Sequence, residues 1–332
     1  MPESPVPQAG SRATVSVVIE WENALNSEAG RAVDMLRQVA KQIDGYYESH
    51  PKTTFEILVV YDSEAFIERD LSDFIGSALG QFGRRHNWRL LDLPGGGYYA
   101  SKDHGARQAS SDIVLFIDSD AVPGEGWLNA LMEGINMPDV NLLIGTTYID
   151  YRDLLGKTFA LNWFFPLRSG GGPPARARGL IVSNMAVRRK FYLEHPFPEI
   201  PGTSRGSCVV LGNRLADSQI PVYVAPDALA SHPAPNGMRH LVPRALAQGR
   251  DRVIRERYLG NRWQQSWLSG CIRLLRHLLG SVWKTISGRS RVGLSLRQVP
   301  AAIAIAWFYY FLYWLGETGE HFGLKRLRAI RV

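Results

Sequence analysis

Two carboxylates stand two positions apart at the end of an uninterrupted apolar run. In DIVLFIDSDAVP, residues 112–123, five apolar residues from Ile113 to Ile117 lead into Asp118 and Asp120. A run of this kind reads as a strand buried on both faces, and acids at its mouth can turn into one crevice. Hard oxygen ligands so spaced hold Mg²⁺ or Mn²⁺, and such an ion neutralises a diphosphate. Acidic loops after strands are also common as plain solvated turns, so the surrounding elements decide between the two readings.

Those elements alternate. VSVVI (residues 15–19), FEILVV (55–60), WRLLDL (88–93) and DIVLFI (112–117) read as strands. Helical spacing is read over 26–43, 72–82 and 99–109. This order predicts an α/β fold, a three-layer, Rossmann-type, mostly parallel sheet. Ligands bind such sheets beyond the carboxyl ends of the strands. Glu20, Glu22 and Asp62 each follow a predicted strand, as Asp118 and Asp120 do. Residues 141–148 and 180–187 are further strand candidates, 168–179 reads as a Gly- and Pro-rich loop, and 221–235 supplies a last strand and a loop with His232.

Five segments in this order resemble family 2 glycosyltransferases, nucleotide-sugar-dependent enzymes with the GT-A fold. They are VSVVIEWEN (15–23), EILVVYDSE (56–64), YYASKDHGARQASSDIVLFIDSDAVPGEGWL (98–128), GLIVSNMAVRRKFY (179–192) and PVYVAPDALASHPAP (221–235). The resemblance implies a GT-A domain over 15–240; residues 1–14, rich in Pro, Ser and Gly, read as a flexible lead-in, and 241–332 as a basic, helical, membrane-associating region. It implies a hexosyltransferase-type enzyme using a UDP- or GDP-sugar with Mn²⁺ or Mg²⁺. It places Asp118 near the ribose and metal, Asp120 on the metal, and His232 as a further ligand. Glu20 and Asp62 would border the base and ribose, Lys102 would meet the base or diphosphate, and Asn184 would face the donor or acceptor sugar.

The sequence also departs from the family's pattern. An acidic pair that relatives use around the catalytic base is replaced by Ser207 and Cys208, which leaves Glu199 as the nearest upstream candidate base, with Asp217 and Asp150 behind it. Tyr61 and Glu22 also differ from the usual acid and aromatic residue. Two alternatives follow. One is a non-catalytic nucleotide-sugar or lipid-binding protein of the same fold. The other is an NAD(P)-binding Rossmann oxidoreductase, because Gly95, Gly97 and Ala100 match G-x-G-x-x-A after a strand.

Charge is uneven along the chain. Residues 1–231 carry 21 Lys and Arg against 27 Asp and Glu, and residues 232–332 carry 17 against 4. A basic tail implies a polyanionic partner. Its basic residues alternate with apolar runs and match no nucleic-acid motif, so the expected partner is a membrane surface and not nucleic acid. Within residues 263–286, Leu274, Leu275, Leu278, Leu279, Val282 and Ile286 share one helical stripe, which suits an in-plane membrane helix or a helix packed on the catalytic domain. Residues 299–315 are free of charge and near the lower limit for a bilayer span, with arginines and a lysine on both flanks. Equal basic flanks favour monotopic insertion alongside a single pass, on the cytoplasmic side. A membrane-bound location points to a lipid-linked or cell-envelope polysaccharide acceptor. The N-terminus lacks the apolar core of a secretory signal, and Cys208 and Cys271 are too few for a disulfide framework.

Overall fold

The structure, a computed structural model, describes residues 14–324 except 26, 81, 83–85, 169 and 170. The lead-in up to residue 13 and the basic residues from 325 onward lie outside the described residues. The chain divides into two compact units: Met1–Thr147, Ser169–Phe197 and Leu211–Ser231 form the first, and Tyr148–Arg168, Pro198–Val210 and His232–Val332 the second. The sequence suggests a single cut near residue 240. The second unit instead recruits two segments from the middle of the chain, because helix α5 (Leu154–Asn162) packs on the C-terminal helices.

The first unit is built on one sheet. Strands β1 (Val15–Glu20), β2 (Phe55–Tyr61), β3 (Asn87–Asp92) and β4 (Ile113–Asp118) run parallel in the order β3-β2-β1-β4. Beyond β4 the sheet continues through β8 (Asn184–Arg188), β6 (Leu142–Ile149), β9 (Tyr223–His232) and the two-residue β5 (Val122–Pro123), and β8 lies antiparallel to both β4 and β6. A short β7 (Ala175–Arg176) adds to β9. Every residue of β1, β2 and β4 is buried, as continuous apolar runs require when helices cover both faces. On one face α1 (Ala29–Ser49) lays down Ala32, Leu36, Val39 and Ile43. On the other, α3 (Tyr98–Gln108) comes so close that a Cβ at Gly105 would overlap the Val18 side chain. That approach fixes the height of α3 over the ends of β1 and β4. The parallel register puts Glu20 beside Val60 and Asp118, so three strand ends finish level at one edge.

The second unit is helical. The helices α8 (Gly237–Tyr258), α9 (Trp267–Gly288) and α10 (Val299–His321) pack with α5. Helices α8 and α10 touch backbone to backbone: a Cβ at Gly249 would collide with the Tyr313 carbonyl, and one at Gly316 with the Leu246 carbonyl. Arginines from α8 and α9 pair with acids buried in α10. Arg273 Nε lies 2.9 Å from Glu317 and Arg257 3.1 Å from Glu320. Since backbone atoms cannot yield as a side chain does, Gly316→Ala is expected to cost about 1–3 kcal/mol of stability through forced separation of the two helices. Urea unfolding followed by far-ultraviolet circular dichroism reads this directly.

The outer face of α9 departs from ordinary docking. Its small residues Ser269, Gly270, Ser281 and Thr285 are the ones turned inward. The leucine stripe lies on the opposite side, with Leu275 and Leu279 exposed. Helix α10 is the one described helix long and apolar enough to cross a membrane, and a third of its most apolar window is buried within the protein.

Candidate active site

Asp118 ends β4 and is almost fully buried. Lys102 Nζ donates to its Oδ1 at 2.7 Å, and the Tyr98 hydroxyl lies 2.8 and 3.0 Å from its two oxygens. Tyr98 and Lys102 are one helical turn apart on α3, so the close seat of that helix at Gly105 delivers both to the same carboxylate. The ammonium is itself fully buried, 4.7 Å from the Tyr98 ring centre and 5.7 Å from that of Phe116. A buried ammonium is tolerated only with a close counter-charge, which Asp118 supplies. Lys102 is thus committed to Asp118, whereas the family resemblance predicts that it meets a base or diphosphate.

Asp120 lies two residues on, in the turn after β4. Arg31 of α1 holds this turn: its Nε donates to the Asp120 carbonyl at 2.6 Å, and its Nη2 donates to the Ser231 carbonyl and hydroxyl at 2.5 and 3.0 Å. One guanidinium therefore ties the acidic turn to the end of β9, a strand also paired with β5 through Val122 and Ser231. His232 is the last residue of that same strand. Its Nδ1 lies 2.7 Å from the Pro233 carbonyl, which can only accept, so Nδ1 carries a proton and Nε2 is the nitrogen suited to a metal. One ligand atom from each of Asp118, Asp120 and His232 lies within 4.8 Å of the others, and all three residues are buried.

Two carboxylates and an imidazole whose second nitrogen is anchored to a carbonyl fit a divalent ion such as Mn²⁺ or Mg²⁺. Lys102 already offsets the charge of Asp118, so Asp120 and His232 are the stronger candidates for direct ligation.

Other expected residues serve differently. Glu20 is buried and accepts from the Asn23 side chain at 2.8 Å and its backbone N–H at 3.2 Å. Asp62 Oδ1 accepts from the backbone N–H groups of Glu64 and Gly95, fastening the end of β2 to the turn after β3. Gly95 has φ 65°, so the glycine-rich stretch is a tight turn on an edge strand, out of place for the first βαβ unit a dinucleotide fingerprint requires. Asn184 is fully buried. Its amide accepts from Trp127 Nε1 at 2.7 Å and donates to the Ala228 carbonyl at 2.8 Å, so it braces the sheet.

In the second unit, Glu199 is exposed, with no side-chain hydrogen bond or ion pair among the described residues. Ser207 and Cys208 open α7 (Ser207–Asp217). The loop before them hangs on buried Asp251, whose Oδ2 accepts from the Ser204 and Arg205 backbone N–H groups at 2.9 and 2.8 Å while Oδ1 takes Arg250. Burial raises the Asp251 carboxyl above its usual range, against the opposing pull of Arg250. His240 is pushed down to about 4, first by burial and then by its neighbours Arg244, His232 and Arg205, and stays neutral at pH 7.

Sequence reading misses Arg31, whose partners lie far along the chain, and also Tyr98, although its position four residues before Lys102 is a usable signal.

This arrangement is the GT-A fold. The solved structure of the mannosyltransferase PcManGT from Pyrobaculum calidifontis, in complex with GDP-Man and Mn²⁺, aligns with 97% of this chain and 92% of its own at TM-score 0.52 and 15% identity. GalNAc-T7 with UDP, GalNAc and Mn²⁺ aligns with 68% of this chain at TM-score 0.50 and 13% identity, and the match spans only 44% of GalNAc-T7. No functionally curated protein matches the sequence. The sequence pattern of glycosyl transferase family 2 matches residues 24–195, over half of the chain, so the chain belongs to that family and is a glycosyltransferase.

Proposed function

We propose that this enzyme moves a sugar from a UDP- or GDP-sugar to a lipid-linked or glycan acceptor, with Mn²⁺ or Mg²⁺, at the cytoplasmic face of a membrane. The observation that carries the reading is the convergence of Asp118, Asp120 and His232 at the carboxyl edge of a GT-A sheet. The Mn²⁺ in the PcManGT and GalNAc-T7 structures supports the choice of ion. Asp120 and His232 hold the cation, which supplies Lewis-acid stabilisation of the charge on a departing nucleoside diphosphate. Lys102 and Tyr98 hold the Asp118 carboxylate in place, and Arg31 keeps the Asp120 turn against β9. Asp62 and Glu20, at the ends of β2 and β1, border the base and ribose.

An acceptor hydroxyl must lose its proton as it attacks, and Glu199 is our assigned base because its carboxylate is exposed and uncommitted. Replacement by glutamine is expected to lower kcat by about 100- to 10,000-fold with donor binding unchanged. Weakened donor binding at unaltered kcat would remove Glu199 from that role. The membrane reading rests on the outward apolar face of α9 and on α10. Helices α8 and α9 are tied to α10 by ion pairs to its buried acids, which favours attachment in the plane of the surface over a single pass.

The reading is tested by incubating the protein with a panel of UDP- and GDP-sugars in Mn²⁺, in Mg²⁺ and in excess chelator. Release of free nucleotide diphosphate from one donor is expected with metal and is lost with chelator. Equal turnover in chelator would overturn metal dependence.

A further inference from the structure

The second unit contains a cavity of about 280 Å³ lined by residues of α8, of α9 and of the turn that joins them. Its walls include Arg252, Arg273 and Arg276, and no acid lines it. Glu317 sits behind the first two, with Arg273 Nε at 2.9 Å and Arg252 Nε at 3.7 Å. Their terminal nitrogens turn into the cavity and converge on a single neutral acceptor, Gln264 Oε1, at 3.1 Å from Arg252 Nη2 and 3.3 Å from Arg273 Nη1. Arg273 Nη1 also reaches Ser269 Oγ at 3.3 Å. Arg276 is exposed at the rim and makes no ion pair or hydrogen bond among the described residues. Glu256 is shared between Arg252, at 4.0 Å, and Arg255, at 3.3 Å. Four guanidiniums therefore face two carboxylates, and the surplus is positive.

Planar guanidiniums converging on one oxygen are the geometry that receives a phosphate. The surface beside the cavity says where that phosphate comes from. Along α9, Leu268, Leu275, Leu279, Trp283 and Ile286 are each at least half exposed and recur at helical spacing. They form one apolar stripe of roughly 27 Å at 1.5 Å per residue. The helix carries Arg273, Arg276 and Lys284 and no acid. Arg276 follows Leu275 by one residue, so the mouth of the cavity opens at the edge of the stripe.

We propose that α9 lies in the bilayer surface and that the Arg252–Arg273–Arg276 cavity takes the phosphate of an anionic phospholipid. This rests on the membrane attachment proposed above and adds a lipid-selective site to it. A stripe alone would bind any bilayer. The cavity makes the attachment depend on headgroup charge.

Flotation of the full chain with vesicles of phosphatidylcholine, alone or mixed with phosphatidylglycerol, tests the proposal. The protein is expected to float with both and to prefer the anionic mixture. Arg276→Gln, an exposed change, is expected to lower affinity for the anionic vesicles about fivefold. Gln264→Glu, which places a tethered carboxylate where the guanidiniums converge, is expected to reduce anionic binding to the phosphatidylcholine level without lowering the melting temperature. Unaltered anionic preference in both variants would overturn the cavity's role and leave membrane attachment standing. Failure of the unmodified protein to float with either vesicle would overturn both. Release from vesicles by millimolar inorganic phosphate would assign the cavity to free phosphate and overturn the lipid assignment.

Discussion

Asp120→Asn is expected to lower kcat/KM for the sugar donor by about 100- to 1000-fold, the loss typical when one electrostatic stabiliser of a developing negative charge is removed. Asparagine keeps the size of the side chain and the backbone carbonyl that Arg31 grips. The fold is therefore expected to survive, and only the negative charge is lost. Of the three clustered donors, Asp118 is already compensated by Lys102, and the His232 imidazole brings no negative charge. Asp120 is then the main negative charge available to the ion, which is why its replacement is expected to outweigh that of the other two. Steady-state assay across a Mn²⁺ titration reads the effect, and excess metal is expected to restore part of the activity.

Lys102→Met is expected to destabilise the protein by about 3–5 kcal/mol, because it strands a buried carboxylate. The pair is dry: the lysine side chain is 0% exposed and that of Asp118 4%. Tyr98 still donates to Asp118 in the variant, but a hydroxyl supplies no charge. Adding Asp118→Asn to Lys102→Met removes the stranded charge, so the double variant is expected to recover much of the lost stability while remaining impaired in donor turnover. Chemical denaturation of the two single variants and the double variant measures the coupling. Additive losses would mean that the two groups do not depend on one another.

Strand ends were legible in the sequence wherever burial on both faces forced an unbroken apolar run. β1, β2 and β4 appear within a residue of their expected places, and α3 is shifted by one. Asp118, Asp120 and His232 were legible through the order of the segments that carry them. What they are bonded to was not, since Lys102 and Arg31 act across folds of the chain that spacing alone does not reveal. Helix α8 was legible only as part of a basic, helical stretch, because its buried residues include Arg244, Arg250, Asp251 and Glu256 and it meets α10 most closely at Gly249, so it has little apolar periodicity. The stripe on α9 was legible as a stripe. That it faces outward follows from Ser269, Gly270, Ser281 and Thr285, whose small size lets the opposite side of the helix pack.

Calorimetry of UDP and GDP binding, with and without Mn²⁺, in the unmodified protein and in Asp120→Asn tests the metal site most directly. One of the two nucleotides is expected to bind with Mn²⁺, to lose at least tenfold in affinity without it, and to show little metal dependence in the variant. Equal binding in chelator, or an Asp120→Asn protein that retains the full response to Mn²⁺, would contradict a cation held by Asp120 and His232.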